Sequence, residues 1–249
     1  MEELIKIPIE DYAKNLITPK ETLDIRVFDE NGIMHTKLRD KILNRAVFLE
    51  SKTIKEIKGI ELDDIFLVGS SASYFYKENS DLDVAIFAKN TNCDFISKEP
   101  EELGSFLAYL TNDFYRKYKS FSINGQFLDM KLRTVMRDRM GVYSILNEKW
   151  VSPATKEVVK DIQLNTLIKN YYLKAEELDI FINKLKYDFD DKLSLEECKK
   201  MNEKFRDSIL NINSVEEYLI FKLMKTPLKN FNKMYQTELA NHFSLDVDL

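Results

Sequence analysis

Cysteine, histidine and glycine are scarce in this 249-residue chain, at two, two and six residues. Cys93 and Cys198 lie far apart, so no zinc-ligand spacing is present and a disulfide framework is not expected. With only His35 and His242, a His-based metal site or a nucleophile–His triad has little to work with. The longest apolar runs fall short of the roughly 18 residues a membrane span needs. The acidic start Met1-Glu2-Glu3 has no signal-peptide core. These absences predict a cytoplasmic protein with no membrane partner. Positive charge is also lacking. A net charge of -5 and a pI of about 5.4 argue against a protein that coats nucleic acid, because such affinity comes mostly from neutralising phosphates. Only a local basic surface is left for that role.

What is present is core material. Hydrophobic residues make up 44% of the chain, with 16 Phe and 12 Tyr. A chain of this length buries roughly three-quarters of its unfolded surface, so a folded protein is expected. Residues 1–36 read as a mixed lead-in containing Pro8, Pro19 and Gly32. Leu38, Ile42, Ala46, Phe48 and Leu49 fall near one helical face within 37–58. Ile65–Val68 is a fully apolar run stopped by Gly69, the pattern of a buried strand entering a turn. The serines after Gly69 predict the start of a short helix over 70–77. Asp81–Phe87 reads as the next strand and 101–119 as an amphipathic helix. Asn124-Gly125, between Phe121–Ile123 and Phe127–Met130, is a type I′ hairpin signal. A second short hairpin or an edge strand is expected at 142–151.

From 155 onward glycine is absent, and the only proline is Pro227. Helical periodicity dominates there, over about 155–188, 195–210, 214–225 and 229–242, with a capping box at Ser214–Glu217. The expected architecture is therefore α+β, with a domain over 1–154 followed by a helical domain over 155–249. Trp150 is expected as a core or interdomain anchor, and both histidines at the surface.

The chemistry concentrates in Val68–Val84. A strand running into Gly69-Ser70, with Ser71 in the same turn, presents backbone N–H groups and hydroxyls suited to phosphate. About ten residues later, Asp81 and Asp83 stand at i and i+2, on one face of a strand by alternation. Adjacent carboxylates repel, and each is costly to desolvate. Two Mg²⁺ ions, or Mn²⁺, offset both costs, because hard oxygen ligands and substrate phosphates are what Mg²⁺ selects. Asp129, flanked by Leu128 and Met130 in the hairpin strand, is the candidate third carboxylate. Lys131 is at i+2 from it and within reach of phosphate. The run 115–139 is rich in Lys and Arg, which reads either as a solvated face or as a phosphate or RNA contact. Tyr74 and Tyr76 read either as residues that stack on a base or as packing neighbours of a core anchor, Phe75; Asn79 and Ser80 read as turn residues.

Gly-Ser, a spacer, then Asp-hydrophobic-Asp-hydrophobic resembles the signature of the polymerase-beta-like nucleotidyltransferase superfamily. Over nearly its full length the chain is similar to predicted nucleotidyltransferases of large tailed bacteriophages. The features that carry this are Leu23-Asp24 to Asp29 with Leu38-Arg39, the Gly69–Asp83 motif, Gly141–Leu146 with Trp150, and Ile220–Met224. The resemblance implies the superfamily's mixed sheet flanked by helices, and an enzyme moving a nucleoside monophosphate from an NTP to an acceptor hydroxyl. Asp81, Asp83 and Asp129 would hold the metals, while Gly69, Ser70, Ser71 and Lys131 would hold phosphate. Relatives often carry Glu at the third acidic position, where this chain has Asp129. The acceptor (tRNA or other RNA, a protein or a small molecule) and the oligomeric state stay open. The alternative is a catalytically weak nucleotide-binding or host-protein-docking module on the same fold. A phage origin would make the location the host cytoplasm.

Overall fold

The apolar run before Gly69 is the end of a longer strand, β1 (Ile60–Val68), at the heart of a six-stranded mixed sheet. The computed structural model describes residues 9–93, 100–135, 140–190, 200 and 214–244. Among these, five α-helices accompany the sheet: α1 (Ile9–Ile17), α2 (Thr36–Thr53), α3 (Pro100–Lys117), α4 (Leu164–Asp190) and α5 (Val215–Ser244). The other strands are β2 (Leu82–Asn90), β3 (Phe121–Ile123), β4 (Gln126–Arg133), β5 (Val142–Ser144) and β6 (Lys149–Ser152), in the spatial order β3-β4-β2-β1-β5-β6. Only β2 and β4 are parallel; α3 lies between them in sequence, as a crossover connection requires.

The chain divides into two compact units. One is Pro19–Val158 and holds the sheet with α2 and α3. The other joins α1 to the residues from Val159 onward. The sequence had placed a boundary after 154 and read the first 36 residues as lead-in. The helix it did not read, α1, buries Ile9, Ala13 and Leu16 at helical spacing and packs on α4 and α5.

In the sheet unit, alternation sorts the strands into two faces. Leu82, Val84 and Ile86 of β2, Leu128, Met130 and Leu132 of β4, and Ile65 and Leu67 of β1 join Leu38, Ile42 and Leu49 of α2 and Leu107 and Phe114 of α3 in one buried cluster. Fully burying such a side chain contributes about 1.5–3 kcal/mol. The opposite face carries a smaller apolar group, Phe66, Val68, Ala85, Phe87 and Val142. Asp83, Asp129, Lys131 and Arg133 share that face by register. The Asn124-Gly125 hairpin forms as read, with φ of 52° and 82°. The β5–β6 hairpin also forms. Trp150 joins the core, stacking on Phe28 at 5.1 Å and donating Nε1–H to the Gly32 carbonyl at 2.9 Å.

In the helical unit, Ser214 and Glu217 form the reciprocal capping box: Glu217 N–H donates to Ser214 Oγ at 3.1 Å, and Ser214 N–H to Glu217 Oε2 at 2.9 Å. The two helices expected over 214–225 and 229–242 are a single helix containing Pro227. Leu219, Leu223, Phe231 and Tyr235 are buried on both sides of the proline. This stripe continues at helical spacing and outweighs the hydrogen bond that Pro227 removes. The helix expected over 195–210 lies outside the described residues. No described helix is long and apolar enough to cross a membrane.

Candidate functional site

The turn after β1 is tighter than the helix expected over 70–77. Ser70–Ala72 is one 3-10 turn, and Ser73 is already extended, at φ -149° and ψ 173°. The serines end it themselves. Ser73 Oγ donates to the Ser70 carbonyl at 2.8 Å and accepts the Phe75 N–H at 3.1 Å, which replaces the bonds a continuing helix would make. Phe75 is the buried anchor of this stretch, while Tyr74 and Tyr76 are half-buried.

Gly69 sits at φ 73°, a conformation side chains other than glycine's rarely adopt. A Cβ there would stand 2.5 Å from Oδ2 of Asp83. The turn backbone and the Asp83 carboxylate are therefore in close approach, a consequence of the β1–β2 register that pairs Val68 with Asp83.

On its other edge β2 runs parallel to β4, with Asp83 paired to Asp129 and Ala85 to Lys131. In-register neighbours on one face of a sheet stand about 4.8 Å apart along the hydrogen-bonding direction, so two half-buried carboxylates are set side by side. Lys131 answers that charge: its Nζ lies 2.5 Å from Asp129 Oδ2. Asp81 stands one residue ahead of β2 and is exposed, so the ladder that orients Asp83 does not reach it. Register aligns the carboxylates without drawing them together; among the described residues no group of three or more His, Cys, Asp or Glu is gathered closely enough to hold a metal ion. In kind they fit divalent cations. Asp83 and Asp129 are hard oxygen donors set on one face by register, and Asp81, two residues before Asp83 in the chain, is a third donor of the same kind.

The loop joining the turn to β2 is braced at each step. Ser71 is fully buried, and its hydroxyl donates to the Asp81 carbonyl at 2.5 Å, which puts Ser71 behind the loop. Ser80 Oγ accepts from Ser70 Oγ at 3.1 Å and from the Lys77 N–H at 2.8 Å. The Ser80 carbonyl accepts from Gln126 Nε2 at 3.1 Å. Arg26 holds the loop from outside, donating to the carbonyls of Lys77, at 3.0 Å, and Glu78. Asp24, 1% exposed, fixes that guanidinium at 2.6 Å and accepts the Arg26 N–H at 3.0 Å. The hydrogen bond to Asp24 raises the Arg26 pKa further. Burial lowers that of Lys77.

Helix α3 closes the edge of β4 beyond β3. Thr111 Oγ1 accepts the Leu132 N–H at 3.1 Å, and Tyr115 Oη accepts the Met130 N–H at 2.8 Å. These hydroxyls, at i and i+4 on the helix, meet strand N–H groups at i and i+2 and satisfy an otherwise open edge. Burial raises the Tyr115 pKa; the Met130 N–H opposes this, and the Asp129 charge adds to it.

The Asp24–Arg26 clamp, the Ser80 hub and the α3 hydroxyls were not read as parts of a site. The sequence signals for them are Leu23-Asp24, within the family resemblance, and Ser80, as a turn residue. Neither of two cavities in the sheet unit is lined by Asp81, Asp83 or Asp129. A cleft of about 550 Å³ lies between α3 and the end of β4, and one of about 880 Å³ lies by Phe28, Tyr74 and Trp150. Of the basic run, Lys117 pairs with Asp113 at 2.7 Å, and Arg137 and Arg139 lie outside the described residues. His35 is exposed, and the side chain of His242 is outside the described residues. No protein-family model, curated protein or solved structure matches the chain.

Proposed function

We propose that the chain is a metal-dependent nucleotidyltransferase of the polymerase-beta-like kind, moving a nucleoside monophosphate from an NTP to an acceptor hydroxyl. The observation that carries this reading is the pairing of Asp83 with Asp129 across parallel strands, with the Gly69 turn against Asp83. Asp81, Asp83 and Asp129 would hold two Mg²⁺ or Mn²⁺ ions, which supply charge for the triphosphate and lower the pKa of the attacking hydroxyl. Gly69 and Ser70 meet the β- and γ-phosphates, with Ser71 as the brace that sets the position of Asp81. Lys131 shifts from Asp129 to phosphate. The acceptor oxygen attacks the α-phosphorus, and the bond from that phosphorus to the α–β bridging oxygen breaks. Pyrophosphate leaves, and the hydroxyl proton passes to Asp129. The protein's contribution is positioning and electrostatics.

One observation favours a second reading, a nucleotide-binding module with weak chemistry. Lys131 already neutralises Asp129, and the three carboxylates are not gathered. The discriminating experiment incubates purified protein with each α-labelled NTP, Mg²⁺ or Mn²⁺, and cell lysate containing protein and RNA acceptors. Transfer of label that is lost in Asp83→Asn sustains the enzyme; no transfer from any NTP sinks it.

A further inference from the structure

The cleft between α3 and β4 is lined by Ser105, Thr111 and Asn112 from the helix, by Lys131 and Arg133 from the strand, and by Thr134 just after it. Its two cations differ. Lys131 is held by Asp129, whereas the half-buried Arg133 guanidinium makes no hydrogen bond or ion pair among the described residues. A half-buried arginine without a counter-charge is suited to an anion that offers two oxygens to its planar guanidinium, and phosphate is a usual partner. The volume, about 550 Å³, is that of a small-ligand site.

We infer that this cleft binds the phosphate of a nucleotide-sized, phosphate-bearing acceptor, with Arg133 as its principal contact. Lys131 lines the cleft and also touches Asp129, so it links the two sites. An anion in the cleft competes with Asp129 for the ammonium and frees that carboxylate. Acceptor arrival thus unblocks Asp129. The net charge of -5 and the one uncommitted arginine in this cleft fit a small phosphorylated molecule better than a long nucleic acid, which needs many cationic contacts. The acceptor role rests on the nucleotidyltransferase reading; the phosphate site does not.

Calorimetric titration in EDTA, with no NTP, isolates the cleft from any metal-dependent triphosphate site. The probes are AMP, inorganic phosphate and adenosine. AMP is expected to bind, inorganic phosphate to compete with it, and adenosine to bind at least about tenfold more weakly, as loss of a charge-assisted contact implies. Arg133→Gln should weaken AMP by a similar factor, Lys131→Met by less, and Asp81→Asn should leave it unchanged. Circular dichroism of each variant checks the fold. Adenosine binding as well as AMP, equal AMP affinity in wild type and Arg133→Gln, loss in Asp81→Asn, or no AMP binding at all would each overturn the proposal. AMP binding without label transfer in the NTP screen sinks the enzyme reading and leaves the phosphate site standing.

Discussion

A Cβ at position 69 would lie 2.5 Å from Oδ2 of Asp83, so the glycine after β1 and the aspartate of β2 cannot be changed independently. Gly69→Ala meets two penalties. A left-handed backbone costs a non-glycine residue about 1–2 kcal/mol, and the new methyl must displace either Asp83 or the turn. The expected result in urea unfolding is a loss of about 2–3 kcal/mol. In the transfer assay, activity should fall more than stability predicts. Wild-type stability in Gly69→Ala would show that the turn relaxes freely and that the close approach does not matter.

The pairing of Arg26 with Asp24 leads to a second prediction. Asp24 is 1% exposed, and removing Arg26 strips its charge partner and releases the carbonyls of Lys77 and Glu78. Breaking a buried pair from one side costs about 3–5 kcal/mol. The Arg26 side chain is 37% exposed, so solvent screens part of that, and about 1–3 kcal/mol is expected for Arg26→Ala. Hydrogen exchange should locate the damage, with faster exchange at the Ser80 amide, which donates to the Lys77 carbonyl at 3.0 Å. Unchanged exchange there would mean that Arg26 does not hold the loop.

These two relationships differ in how visible they are in the sequence. Gly69-Ser70, Asp81 and Asp83 stand close together in the chain, and strand alternation is a local rule, so their grouping can be read directly. The Asn124-Gly125 hairpin and the Ser214–Glu217 cap are local in the same way. Arg26, by contrast, reaches Glu78 across 52 positions, and Tyr115 reaches Met130 through a helix-to-strand contact. No periodicity encodes such pairs, which arise only from topology. The helix over 70–77 failed because the serines that favour a helix start also satisfied the backbone in an extended form. The break at Pro227 failed because a continuous buried stripe outweighed one missing hydrogen bond. The lead-in hid α1 because its nine residues pack on helices more than 140 positions away.

Tyr115 yields a pH-dependent prediction. Its folded pKa is raised above 10.0, chiefly by burial, so the folded state holds the phenol proton more tightly than the unfolded chain does. That contribution is complete below the unfolded pKa and is lost as pH rises through the folded value. Tyr115→Phe should therefore flatten the alkaline loss of stability above about pH 10. At neutral pH the same variant strands the Met130 N–H, at a cost of about 1–2 kcal/mol. Urea titrations of both proteins at neutral and alkaline pH test this. Parallel curves across the whole range would remove Tyr115 from the account.

Ser70 and Ser71 are adjacent in the chain yet should respond differently. Ser71 is fully buried and its hydroxyl serves the Asp81 carbonyl, so Ser71→Ala leaves that carbonyl without its donor. A loss of about 1–3 kcal/mol is expected, with reduced transfer because Asp81 shifts. Ser70 is half-buried and shares its hydroxyl with Ser80, an interaction between neutral groups worth about 0.5–1.5 kcal/mol at most. If Ser70 also meets the triphosphate, Ser70→Ala should raise KM for the NTP several-fold while stability stays close to wild type. Ser71→Ala should lower kcat with little change in KM. The reverse assignment of kcat and KM effects would make Ser71 the phosphate contact and Ser70 the brace.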